Sequence, residues 1–141
     1  MDEKFMKLAI KEAKKSKDGI GCGAVIVKNG KILAKSYNTQ RSSFDASAHA
    51  EINAIRLTGK NLKTKYLDDC TIYSTLEPCI MCAAAISYAG VKRIVYGLTL
   101  KDVFPNDKMF HFDIDKILSK SPKRIDITKN FMEEECRQII N

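Results

Sequence analysis

Apolar residues recur at helical spacing near the start of the chain. Phe5, Met6, Leu8, Ala9, Ile10 and Ala13 form one side and lysines the other, so residues 3–16 read as an amphipathic helix. Asp18-Gly19 and Gly21 end it. Two β-rich runs, 22–28 and 31–37, flank Asn29-Gly30 and predict a hairpin, because that dipeptide accepts the positive φ angles of a tight two-residue turn. A polar loop covers 42–47, and a second helix is expected from about 48 to 58, ending at Gly59. Residues 70–75 read as a buried strand. Pro78 opens a helix through about Tyr88, Gly90 closes it, and residues 93–96 form the next strand. Strand, helix and strand make a βαβ unit, so those two strands should be parallel. Beyond Gly97 the periodicity weakens. An irregular segment through Phe104-Pro105, a short helix near 115–118, a strand near 124–127 and a last helix from Asn130 are expected. This order predicts an α/β fold, a mixed sheet with helices on both faces, in one domain spanning residues 1–141.

Composition narrows the class. The chain has 141 residues, 45% of them hydrophobic, so it can bury a core of its own. It carries no apolar run of membrane-spanning length, and its charged start, Met1-Asp2-Glu3-Lys4, does not resemble a signal peptide. A cytoplasmic protein with no membrane partner is the expectation. The net charge is +7, and nine lysines against four acids fall in the first 35 residues, with no arginine-rich run. A solvated surface explains this; a nucleic-acid footprint is the alternative.

Five cysteines, an odd number, do not suggest a disulfide framework. Cys79 and Cys82, three apart at a helix start, face the same way. A redox pair would be expected after the first strand of a thioredoxin-like unit, and here the motif follows the third. With His49, at the start of the other central helix, the two thiols make a donor set suited to tetrahedral zinc. Both motifs fall at helix N-termini, where free N–H groups favour negative charge. Three protein ligands leave a coordination position for water, as in catalytic rather than structural sites, and zinc makes such water nucleophilic near neutral pH. Glu51, two residues after His49, reads as a proton shuttle. If Cys22, Cys70 or Cys136 supplied a fourth ligand, the site would close and the protein would be a non-catalytic, zinc-stabilised interaction module. Each of those three is expected to be a buried core residue, with Cys22 alternatively lining a pocket.

His49-Ala50-Glu51 followed by Pro78-Cys79-Ile80-Met81-Cys82 resembles the H-x-E…P-C-x-x-C pattern of the zinc-dependent cytidine/deoxycytidylate deaminase superfamily. Ala48–Arg56 and Thr75–Ile86 are similar to two of its branches, the tRNA wobble-adenosine deaminases and the guanine and nucleobase deaminases. Gly23–Val27 and Asn38 match the family's first hairpin. The resemblance implies a cytidine deaminase-like three-layer α/β/α sandwich with a five-stranded mixed sheet, and a homodimer. It implies that His49, Cys79 and Cys82 bind Zn2+, that Glu51 is catalytic, and that Asn38 and the backbone amides of Ala50 and Cys79 bind substrate. The implied reaction replaces an exocyclic amine of a nucleobase or nucleoside by a carbonyl and releases ammonia.

The chain also departs from the family. Gly21-Cys22 stands where a proline is common before the first strand, and Phe44-Asp45-Ala46-Ser47 replaces Asn-Asp-Pro-Thr. Loss of the proline should leave that loop less fixed. Phe44 is expected to be a packed core residue, with stacking on a base as the alternative. Residues 97–107 lack the Gly-rich stretch of the tRNA branch, and Asp102 falls where guanine deaminases carry a substrate-binding acid. These features favour a free nucleobase or nucleoside as substrate, with tRNA wobble adenosine as the alternative.

Overall fold

The structure is a computed structural model and describes residues 1–140. The first apolar stripe forms α1 (Asp2–Ala13). It stops short of residue 16 because Ser16 Oγ donates to the Asn38 carbonyl and accepts from the Asp18 N–H, turning the chain off the helix axis. β1 (Gly23–Lys28) and β2 (Lys31–Tyr37) form the hairpin, with Asn29 at φ 51° and Gly30 at φ 75° in its turn. α2 (Ala50–Leu62) follows the loop, then β3 (Cys70–Leu76), α3 (Ile80–Ala89) and β4 (Arg93–Leu98). α4 (Leu100–Val103), α5 (Ile114–Leu118), β5 (Asp126–Thr128) and α6 (Glu133–Cys136) complete the chain.

The five strands form one mixed sheet in the order β2-β1-β3-β4-β5. β1 runs antiparallel to both its neighbours, while β3, β4 and β5 are parallel. β1 and β3 are almost wholly buried, as strands covered on both faces must be. α1 packs on β1 and β3 and touches α6; α2, which packs on β2 and β1, touches α3, and α3 touches α5. This is the α/β architecture expected. Phe5, Met6, Ile26, Ile72, Ile94 and Leu98 are fully buried at its centre. Gly23 lets α1 lie directly on the sheet, because a Cβ there would collide with the Ala9 carbonyl.

Asp2 ties α1 to three strands. Its carboxylate accepts from the Tyr73 hydroxyl at 2.6 Å and from both Arg93 nitrogens at 3.0 and 2.7 Å, while Arg93 also donates to Thr128 Oγ1 at 3.1 Å. Among the described residues, no helix is long and apolar enough to cross a membrane.

Two boundaries differ from expectation for backbone reasons. α2 passes through Gly59 and ends at Leu62, because the left-handed cap falls on Lys63 at φ 55°. The Gly59 carbonyl then accepts from the N–H groups of Lys63 and Thr64. The last helix starts at Glu133, not Asn130, because Asn130 and Met132 both lie at φ 55°, outside helical space.

Candidate active site

Two helices begin at the same place. His49 is the N-cap residue of α2, with extended backbone at φ −70° and ψ 160°. Cys79 is the N-cap residue of α3, at φ −70° and ψ 175°. Neither makes a side-chain cap, so the first N–H groups of both helices stay available. Pro78 precedes the second start and the β3 strand delivers it, so the two helix N-termini converge at one end of β3.

At that point His49, Cys79 and Cys82 bring Nδ1 and two Sγ atoms within 4.8 Å of one another. His49 Nδ1 lies 3.5 Å from Cys79 Sγ and 3.6 Å from Cys82 Sγ. Bond lengths of about 2.3 Å to sulfur and 2.05 Å to nitrogen across a tetrahedral angle require an N···S separation of about 3.6 Å. The donor spacing therefore fits a tetrahedral metal ion. The Cys82 thiol, donating to the Cys79 sulfur, holds Cys79 well below the ordinary thiol value, at about 4; the same hydrogen bond and burial raise Cys82. Deprotonating both sulfurs would set two thiolates side by side, a repulsion that a divalent cation between them would remove. Among the described residues Cys22, Cys70 and Cys136 are buried, as expected for core positions, and lie outside the cluster.

Glu51 lies beside the cluster, in the first turn of α2, and is 3% exposed. Burial first, and the negative Cys79 sulfur second, push its carboxyl up to about 7. A carboxyl there can accept and release a proton near neutral pH. Its Oε1 accepts from the Cys22 thiol at 3.7 Å, and Cys22 Sγ is also 3.7 Å from Ser74 Oγ. Cys22 is thus both the buried small residue and the pocket-lining one.

Cys22, His49, Glu51 and Cys79 line a cleft of ≈ 90 Å³. Asn38 lines it too; its Oδ1 accepts from the Cys22 N–H at 2.8 Å. That bond fixes the amide orientation and leaves Nδ2, without a partner among the described residues, as a donor. Ala50 is buried at the first turn of α2, where its N–H is one of the uncapped ones.

Asp102 is not brought to the cleft. Thr99 caps α4 by accepting the Asp102 N–H at 3.2 Å, Leu100 turns inward and is buried, and Asp102 is left exposed. Phe44 is no core residue either. It is 96% exposed, at the tip of the loop before His49 and at φ 53°.

Residues that no motif pointed to also line the cleft, among them Gln40, Glu77, Leu100, Phe104 and Phe110. Gln40 follows Asn38 by two, the spacing that shares a face in extended chain, and its Oε1 is buried without a hydrogen-bond partner. Glu77 stands immediately before Pro78 and accepts from the Leu100 N–H at 3.0 Å. Phe104 and Phe110 pack at 4.8 Å between ring centroids, and nothing in the local pattern signalled that pair.

Comparison with known proteins agrees with this geometry. The family model for the cytidine and deoxycytidylate deaminase zinc-binding region matches residues 1–98. The tRNA-specific adenosine deaminase of Buchnera aphidicola is 35% identical over 144 aligned residues, 99% of this chain and 91% of its own. A solved structure from work on A-to-I editing by tRNA:A34 deaminases, at the wobble position of transfer RNA, shares 33% identity with a TM-score of 0.77, covering 98% of this chain and 99% of that one. The guanine deaminase of Bacillus subtilis shares 38% identity with a TM-score of 0.67, covering 86% of this chain and 76% of its own.

Proposed function

This chain belongs to the zinc-dependent cytidine and deoxycytidylate deaminase family, and from that premise we propose that it converts the wobble adenosine of a tRNA anticodon loop to inosine. The observation that carries the choice is similarity to a tRNA-specific adenosine deaminase along almost the whole of both chains. The expectation of a free nucleobase or nucleoside rested on the missing Gly-rich stretch and on Asp102, and Asp102 is exposed and does not line the cleft. One molecule of water is consumed, the bond from C6 to the exocyclic nitrogen breaks, a C6 carbonyl forms and ammonia leaves.

His49, Cys79 and Cys82 would hold the zinc, which when bound supplies Lewis-acid activation of water. Glu51 takes the proton that the attacking water loses and delivers it to the ring nitrogen; it then takes the remaining proton of the new C6 hydroxyl and passes it to the departing amine. Its burial keeps that proton from exchanging with solvent while it is carried. Asn38 Nδ2 donates to an acceptor on the edge of the base, and the N–H groups of Ala50 and Cys79 hold a ring acceptor. Leu100, Phe104 and Phe110 supply an apolar wall for the flipped base.

A homodimer is part of the same proposal. α3 is apolar almost all round, and Tyr88 on its outer side is 85% exposed. A helix of that composition calls for a covered outer face.

The test is ammonia release, with identification of the product nucleoside, over a wobble-adenosine anticodon stem-loop, adenosine and guanine. Inosine formed in the stem-loop alone is the expected result. Turnover of guanine with none of the RNA would replace this reading with the guanine deaminase one, which the 38% identity to that enzyme keeps as the second candidate.

A further inference from the structure

Phe44 is the most exposed large apolar residue of the chain, and its surroundings are those of a fixed platform rather than a loose loop. The loop it tips is closed at its base by the Thr39 N–H donating to the Ala48 carbonyl at 2.9 Å. Within it, Ser43 N–H donates to the Thr39 carbonyl at 2.9 Å and Asp45 N–H to the Gln40 carbonyl at 3.0 Å. Asp45 accepts from Ser47 N–H and Oγ at 2.9 and 2.6 Å and from Arg56 at 3.2 Å, while Arg56 also donates to Ser47 Oγ. Hydrogen bonds thus replace the proline that this loop lacks. In the middle of this network Phe44 sits at φ 53°, a conformation that disfavours a bulky L-residue, with its ring 96% in water. The fold holds a flat apolar surface in a strained backbone position and gives it nothing to pack on.

The loop is also anchored in the active site at both ends. Asn38 and Gln40 line the cleft before it, and His49 follows it. The Asp45–Gln40 bond ties the residue after Phe44 to the backbone of a cleft residue. Its neighbours are polar: Ser42 and Ser43 are exposed, and the Arg41 guanidinium has no ion pair or hydrogen bond among the described residues. One isolated ring beside a free cation is too small a patch for a protein interface, which needs contiguous apolar area. It matches what a single unstacked base and its phosphate require.

Resting on the proposed RNA substrate, we infer that Phe44 is a stacking platform for a nucleotide flanking the target adenosine, with Arg41 beside the phosphate. A base flipped into the cleft leaves its neighbours unstacked, and Phe44 restores one of those stacks.

The experiment uses the zinc-loaded protein, a wobble-adenosine anticodon stem-loop, and two modified stem-loops abasic at the 5′ or the 3′ flank of the target. Phe44→Ala should lower kcat/KM on the intact RNA about fivefold to a hundredfold, mainly through KM, and Phe44→Trp should restore it. Removing one flanking base should cost the wild type the same factor and cost Phe44→Ala nothing further. Zinc content and Tm of Phe44→Ala should match wild type. Equal kcat/KM for Phe44→Ala and wild type on intact RNA, or losses from mutation and abasic site that multiply, would overturn the inference while leaving the RNA reading intact. A change in oligomeric state with Phe44→Ala would overturn it in favour of an interface between copies. Wild-type protein that carries zinc and leaves the stem-loop unmodified would remove the RNA reading and this inference together.

Discussion

The two walls of the cleft are built by different forces. The wall from Asn38 to His49 is polar and cross-bonded, with almost no apolar burial. The wall from Leu100 to Phe110 has few long-range hydrogen bonds and is held by Leu100 in the core and by the Phe104–Phe110 pair. The first has the directional constraints that position donors and acceptors to within a few tenths of an ångström. The second has the shape tolerance of apolar packing. On the proposed function, recognition of polar base edges falls to the first wall and exclusion of water to the second.

The largest expected effect lies on the floor common to both walls. Glu51→Gln should keep zinc, measured by elemental analysis, and lower kcat by about a hundredfold to ten-thousandfold. Loss of metal instead would make Glu51 part of the binding site rather than a proton carrier. Cys79→Ala should lose metal and turnover together.

The next effect separates the walls. Asp45→Ala removes the acceptor that ties Ser47 and Arg56 to the polar wall, so KM should rise, by up to about a hundredfold if the base-contacting groups shift by an ångström. Phe110→Ala should instead cost about 1–2 kcal/mol of stability, because its ring is only partly buried, with a smaller effect on KM. If the two variants gave the same ratio of stability loss to KM change, the distinction between the walls would fail.

A control sits away from both. Asp2 is held below its ordinary value of 3.8, first by the Arg93 hydrogen bonds. A depressed carboxylate stabilises the fold above its unfolded value, and that stabilisation fades as pH falls through the folded one. Asp2→Asn should therefore cost about 1 kcal/mol at pH 7, lose that difference from wild type in acid, and leave kcat/KM unchanged. The smallest effect is at the loop tip. Phe44→Gly relieves a positive φ and should raise stability by about 0.5–1 kcal/mol in chemical denaturation.

Much of the architecture was legible because its signals are local. The Asn29-Gly30 turn and the Pro78 and Gly90 boundaries of α3 depend on the φ preferences of single residues. The grouping of His49, Cys79 and Cys82 with Glu51 beside them was legible because helix starts at two short motifs constrain where those side chains point. Signals that depend on distant partners were not. Gly59 looked like a helix end, yet the chain turned at Lys63, since a glycine permits a left-handed residue without requiring one. Phe44 looked like core because hydrophobicity does not say whether anything is near enough to cover it.

Sequence alone determined which chemistry this chain could carry, since donor type and motif spacing are properties of residues along a strand or helix. Tertiary structure decided what surrounds that chemistry. It buried Glu51, turned Asp102 outward, paired Phe104 with Phe110 and left Phe44 in water. Burial and packing are set by groups far apart in the chain, and no local pattern encodes which of them meet.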